Sequence, residues 1–181
     1  MDKKYITANQ LLTDSFKLGA AVYHSGFRPD LIIGIWRGGT PVAIAVHEYF
    51  KYMGHASDHI AIRAISYSGI AKRHDYVEVA GLEYLQKNNN YINLLIIDDV
   101  FDTGNSFKTT LNLMREISDN FNIKIASPWY KPVNNQTDLL PDFFIHQSDQ
   151  WLVFPHELEG LSIDEIKMSK PEIFQIITET N

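Results

Sequence analysis

The stretch that most constrains this chain is Leu94-Leu95-Ile96-Ile97-Asp98-Asp99-Val100-Phe101-Asp102-Thr103-Gly104-Asn105-Ser106. Four apolar residues run straight into two carboxylates. The apolar run has the composition of a strand buried on both faces of a parallel sheet. Gly104 permits a tight turn and close approach to a ligand. Thr103 and Ser106 offer cap hydroxyls where a helical pattern begins, and the amides from Thr103 to Ser106 would sit at a helix N-terminus, a ready site for an anion. A carboxylate beside a phosphate repels it unless the acids serve another partner. Sugar hydroxyls or a hydrated Mg2+ would be such partners. Two other phosphate-binding patterns, G-x-x-x-x-G-K-[ST] and G-x-G-x-x-G, occur nowhere in the chain.

A second candidate anion site is Arg37-Gly38-Gly39, between a short apolar run, Asp30 to Ile35, and a helical pattern from about Thr40 to Tyr52. Two glycines expose backbone amides at a helix start, and the Arg37 guanidinium is a permanently charged fork suited to phosphate oxygens. Before it, Thr7 can cap a helix through about Ser25, with Leu11, Ser15, Leu18 and Val22 at helical spacing. Asp58 to Ser66 alternates as a strand does, and Val77 to Ala80 resumes strand character after a polar region opened by Ser66-Tyr67-Ser68-Gly69. Beyond the central strand, Phe107, Leu111 and Met114 line one helical face. Asn122 to Trp129 forms another strand, leading into Lys131-Pro132 at the sheet edge where ligands of open α/β folds bind. Asp142 to Ile145 is a further short strand. The tail carries two capping-box patterns, Ser162 with Glu165 and Ser169 with Glu172, and Pro171 suits a first helical position.

At 181 residues the chain is long enough for a substantial core, and a single domain over 1–181 is expected. The excess of 22 acids over 16 bases, net charge -6, argues against a nucleic-acid surface. With no Cys, disulfides, thiolate metal sites and Cys nucleophiles are excluded, and a reducing, cytoplasmic setting is expected. The first residues do not read as an apolar signal region, so no leader is expected, and no run approaches membrane-spanning length. The seven His residues show no zinc spacing.

Ile96 to Ser106 resembles the phosphoribosyl-pyrophosphate (PRPP) signature of type I phosphoribosyltransferases, and its Asp-Thr-Gly variant resembles the branch that handles 6-oxopurines. The resemblance covers roughly Tyr5 to Glu157. It implies an α/β fold: a mainly parallel sheet flanked by helices, a flexible lid at about 66–80, a small base-binding hood at about 130–157 and a helical tail at about 162–181. It further implies transfer of 5-phosphoribosyl from PRPP to N9 of hypoxanthine, guanine or xanthine. In that scheme Asp98 and Asp99 hold the ribose hydroxyls and Mg2+, directly or through water. Thr103, Gly104, Asn105 and Ser106 wrap the 5'-phosphate, and Asp102 is the general base beside purine N7. Arg37, Gly38 and Gly39 bind pyrophosphate, with a cis peptide entering Arg37, and Ser66-Tyr67 matches the lid's Ser-Tyr pair. Lys131 donates to the 6-oxo group, Trp151 stacks on the base, and Leu152 offers backbone groups to its edge. Members are generally homo-oligomers, dimers or tetramers. Val153 and His156 depart from the pattern Asp-x-Trp-Ile-x-x-Pro-Trp, which leaves the chemistry at the purine 2-position open. A PRPP-sensing protein on the same fold, and a phosphoribosyltransferase for another base, remain alternatives at this point.

Overall fold

A computed structural model of the protein describes residues 3–67, 76–88 and 90–179. In chain order its strands are β1 (Lys3–Tyr5), β2 (Leu31–Trp36), β3 (Asp58–Tyr67), β4 (Tyr76–Ala80), β5 (Asn93–Ile97), β6 (Val100–Phe101), β7 (Asn122–Tyr130), β8 (Phe143–Gln147) and β9 (Trp151–Val153). The helices are α1 (Ala8–His24), α2 (Gly39–Tyr52), α3 (Glu83–Lys87), α4 (Asn105–Ile117), α5 (Ile163–Ser169) and α6 (Pro171–Glu179). The chain divides into two compact units, a larger one of residues 12–149 and a smaller one made of residues 1–11 and 150–181. Lys131 therefore belongs to the larger unit, and Trp151 and Leu152 to the smaller.

Among the described residues the larger unit contains a seven-stranded sheet in the order β4-β3-β2-β5-β7-β6, with β8 also on β7. Every pairing is parallel except β3 with β4, as expected of an α/β fold. Leu31, Ile33, Ile35, Leu94 and Ile96 share one apolar cluster with Phe107, Leu111 and Met114 of α4. Gly34, one residue out of phase, instead faces Ala43 of α2. Period-two alternation in β2 thus separates a helix layer on each face. Five of the six β2 residues are buried, which is why β2 reads as a continuous apolar run.

The register places the acids. Ile97 pairs with Ala126 and Val100 with Trp129, at one unchanged offset along β7. β6 therefore continues the line of β5, and Asp98-Asp99 interrupts a single strand at its carboxyl end.

In the smaller unit β1 pairs with β9 in parallel, Lys3 opposite Trp151 and Tyr5 opposite Val153. Ser162 and Glu165 form the expected capping box at the start of α5. The second expected box does not form. Ser169 is the last residue of α5, and its hydroxyl donates back to the Glu165 carbonyl at 2.6 Å, so Lys170 is what precedes Pro171. Glu165 also accepts from Lys3 Nζ at 2.6 Å, the Ser162 amide at 2.8 Å and the Tyr5 hydroxyl at 3.2 Å. The Lys3 bond first, then the Ser162 amide, hold its carboxyl down to about 2, against 4.5 for an ordinary Glu. A carboxyl depressed in the folded state stabilises it above the unfolded value and loses that contribution as pH falls. The Ile6 amide, which donates to the Val153 carbonyl, should therefore lose hydrogen-exchange protection as pH falls from about 4.5 towards about 2. Glu165→Gln should remove that acid transition; persistence of the same transition in the variant would assign it to another group.

Candidate active site

β5 delivers Asp98 and Asp99 to the carboxyl edge of the sheet. Asp99 is buried, and its amide donates to Asp98 Oδ1 at 3.0 Å. Burial, and then the adjacent Asp99 charge, push the Asp98 carboxyl well above the usual carboxylate range, with the Gly39 amide opposing the shift. Two carboxyls crowded in this way favour a ligand that supplies hydroxyl donors or a divalent cation.

β2 leads through a cis Trp36–Arg37 peptide, as the resemblance implies, to Gly38 and Gly39 at the start of α2. Both glycines are needed for space. A Cβ on Gly38 would collide with the Asp99 carboxylate, and one on Gly39 with the Ile97 carbonyl and the Asp98 Cα, 2.8 Å away. The two candidate loops are thus in van der Waals contact, and the contact brings Gly38 and Gly39 together with the acid pair. Arg37 is exposed. The Thr40 hydroxyl in the first turn of α2 is buried without a hydrogen-bond partner, a donor-acceptor left over beside this loop.

The phosphate-loop candidates are capped differently from the sequence expectation. The N-cap of α4 is Gly104 at φ +79°, and no side chain caps the helix. Thr103 Oγ1 accepts from the Asn105 amide, at 3.4 Å, and Ser106 lies inside the helix. A left-handed cap needs glycine, and a Cβ there would also strike the Phe101 ring and the Thr137 hydroxyl. The first-turn amides of α4, which begins at Asn105, still open at the helix end beside Thr103 and Gly104, the geometry an anion needs.

Lys131 follows β7, its amide bonded to the Phe101 carbonyl at 2.9 Å. Its side chain is buried, and Nζ stands 3.6 Å from Asp102 Oδ2. A cation donor and a carboxylate acceptor are therefore side by side, next to the Thr103–Ser106 turn. A polar run after Lys131, which reads in the sequence as an ordinary loop, fastens to that turn. The Gln136 amide donates to the Thr103 carbonyl at 2.9 Å, Asn105 Nδ2 donates to Gln136 Oε1 at 3.1 Å, and Lys108 pairs with Asp138 at 2.8 Å. Asn134 Nδ2 donates to Asp102 Oδ1 at 2.6 Å. Asn134, Gln136 and Thr137 are thus site residues that sequence reasoning missed. The density of Asn, Gln and Thr over 134–137 was the available signal, since such side chains build turns by bonding nearby backbone.

Ser66 and Tyr67 end β3, opposite Val77 and Tyr76 on β4, which takes up the last part of the expected lid; residues 68–75 of it lie outside the described residues. Trp151 and Leu152 sit in β9 of the smaller unit, Trp151 54% exposed and Leu152 buried. Among the described residues no cluster of three or more His, Cys, Asp or Glu could hold a metal, and no helix is long and apolar enough to cross a membrane.

Comparison with solved structures finds a purine phosphoribosyltransferase from Pyrococcus horikoshii Ot3 at 25% identity and a TM-score of 0.69, covering 90% of this chain and 98% of that one. The Helicobacter pylori xanthine-guanine-hypoxanthine phosphoribosyltransferase matches at 18% identity and a TM-score of 0.70, over 95% of this chain and 99% of the other. A hypoxanthine phosphoribosyltransferase from Staphylococcus aureus, 18% identical, has a TM-score of 0.58 over 79% and 75%. At 18% identity these last two speak for the fold alone. A search of curated protein sequences returns no match. The model of the phosphoribosyl transferase domain matches residues 7–159, a span that takes in both glycine-bearing loops, the acid pair and Lys131. By that match the chain belongs to the phosphoribosyl transferase domain family.

Proposed function

We propose that the protein is a purine-salvage enzyme that transfers 5-phosphoribosyl from PRPP to N9 of a 6-oxopurine, releasing the nucleoside 5'-monophosphate and pyrophosphate. The observation that carries this reading is the pairing of Lys131 with Asp102 beside the phosphate-loop candidate. A 6-oxopurine presents an acceptor at O6 and a proton at N7, which a lysine donor and a carboxylate acceptor match in that order. Adenine presents an amino donor where Lys131 donates, so the same pair disfavours it. The Pyrococcus horikoshii neighbour, named for purine transfer, supports the base class.

In this scheme the α4 N-terminus and Thr103 to Ser106 take the 5'-phosphate, and Asp98 and Asp99 take the ribose hydroxyls. Arg37 with the Gly38 and Gly39 amides neutralises the departing pyrophosphate, a stabilisation aimed at charge that develops as the C1'–O bond breaks. Asp102 accepts the N7 proton as N9 bonds to C1'. The family resemblance assigns Trp151 and Leu152 of the smaller unit to the base and Ser66-Tyr67 to the lid that excludes water. The crowded Asp98 and Asp99 carboxyls are hard oxygen donors that fit Mg2+, and no further acid joins them among the described residues. The ion would therefore be held by these two, directly or through water, with the substrate's own oxygens completing its shell. When bound, it supplies charge neutralisation of the pyrophosphate.

The test is a purine panel: protein, PRPP and Mg2+ with hypoxanthine, guanine, xanthine or adenine, following nucleotide formation. Turnover of at least one 6-oxopurine with adenine silent is expected, and the rank among the three defines the 2-position preference. PRPP binding by calorimetry without turnover of any base would replace this reading with that of a PRPP sensor.

A further inference from the structure

We propose that Asn134 is a positioning residue for Asp102, aiming one carboxylate oxygen at the purine while holding the other. This rests on the base role proposed above for Asp102. An ionised carboxylate only accepts hydrogen bonds, so the Asn134 carboxamide must present its nitrogen, and it does so at 2.6 Å from Oδ1. The second oxygen, Oδ2, faces Lys131 Nζ at 3.6 Å, too long for a hydrogen bond. Oδ2 thus keeps a place for an incoming N–H, beside the cation that would meet O6. With Oδ1 tethered, rotation about the Asp102 side chain is restricted to the orientation that presents Oδ2.

The tether is itself fixed. Lys131 opens a 3-10 turn over Pro132–Asn134, in which the Asn134 amide donates to the Lys131 carbonyl at 3.2 Å and the Asn135 amide to Pro132 at 3.3 Å. Asn135 closes the following turn, accepting from the Thr137 amide and hydroxyl, both at 2.9 Å, and donating to the Leu139 carbonyl at 2.8 Å. The Gln136 amide then fastens the loop to Thr103. The loop-building work falls to Asn135 and Gln136, whereas the Asn134 side chain reaches 32 residues back to the carboxylate proposed as the base. Because Lys131 and Asn134 share one turn, donor and tether move as a unit, and the oxygen is aimed relative to the lysine that reads O6.

The experiment measures kcat and KM for Asn134→Ala, Asn134→Gln, Asp102→Asn and the Ala/Asn double variant, with the best 6-oxopurine from the panel. For Asn134→Ala, kcat should fall by about 10- to 10²-fold, the scale of a modest misplacement of a reacting group. KM for PRPP should stay within about twofold, since the phosphate contacts are untouched. Asn134→Gln, which keeps a donor on a longer stem, should recover part of kcat. In the Asp102→Asn background the Ala substitution should add almost nothing, because the oxygen it aims is no longer a base. An active wild type with Asn134→Ala at full kcat, or with kcat raised because the amide was masking Asp102, would overturn the proposal and leave the salvage reading standing. Equal losses in the single- and double-variant backgrounds, or a rise in KM for PRPP matching the fall in kcat, would overturn it in favour of a purely structural loop. A wild type silent with every base would overturn the salvage reading and this proposal with it.

Discussion

Asp102→Asn is expected to lower kcat by about 10²–10⁴-fold, the usual contribution of a general base, while leaving PRPP binding intact. Asparagine conserves the shape and can still accept from Asn134, so the phosphate turn that follows it should hold its geometry. What it removes is the capacity to take a proton from N7, together with the countercharge to Lys131. The exposure of Asp102, 43% at the side chain, means that solvent screens part of that lost pairing, so the effect should fall on turnover rather than on folding. Steady-state kinetics with the preferred base, alongside calorimetric titration of PRPP, separates the two. Unchanged turnover would remove Asp102 from the chemistry and leave Lys131 as the reader of the base alone.

The second large effect is expected at Gly39. No side chain of any size fits there, because the nearest atoms to an added Cβ are backbone: the Ile97 carbonyl and the Asp98 Cα. Backbone cannot swing aside as a side chain can, so Gly39→Ala must push the α2 loop away from the acid pair. Overpacking of this sort costs about 1–3 kcal/mol of stability, and urea denaturation should show it as a lowered midpoint. Displacing the loop by even a fraction of an ångström should also cost about 10²-fold in kcat/KM for PRPP. Gly38→Ala is the informative contrast, for there the obstacle is the Asp99 carboxylate, which can rotate. It should cost less stability and still impair activity, since the carboxylate would be turned from its place. A Gly39→Ala protein with the midpoint and kcat/KM of the wild type would show that the two loops do not need their contact.

Much of this was legible beforehand, and the exceptions have physical reasons. The apolar run into Asp98-Asp99, the glycines after Arg37 and the helical stripe of Phe107, Leu111 and Met114 are local patterns, and each lies where its period or composition placed it. The cis peptide before Arg37 was expected only through the family resemblance, since nothing in Trp36-Arg37 itself signals it. The brief strand Val100–Phe101 was not legible, because only its register on β7, 29 residues away, reveals it as the continuation of β5. At α4 the hydroxyls of Thr103 and Ser106 competed with Gly104 for the cap, and the left-handed conformation went to the residue without a Cβ. Two identical capping-box patterns had opposite outcomes because Ser169 had already been taken into the last turn of α5. The five-residue α3 is too short for periodicity to declare it. Asn134 stayed hidden for the most general reason: its partner is distant in sequence, and nothing about an Asn in a polar run says which carboxylate it will find.

The pairing of β1 with β9 has a consequence for how the protein comes into being. Lys3 is made well before its neighbour across the sheet, Trp151, and the whole of residues 12–149 is synthesised between them. β1 must therefore wait for β9 while the strands of the larger sheet are made. The unit that carries Trp151 is thus completed only when residues 1–11 meet residues 150–181, and deleting either segment takes from the other its strand partner.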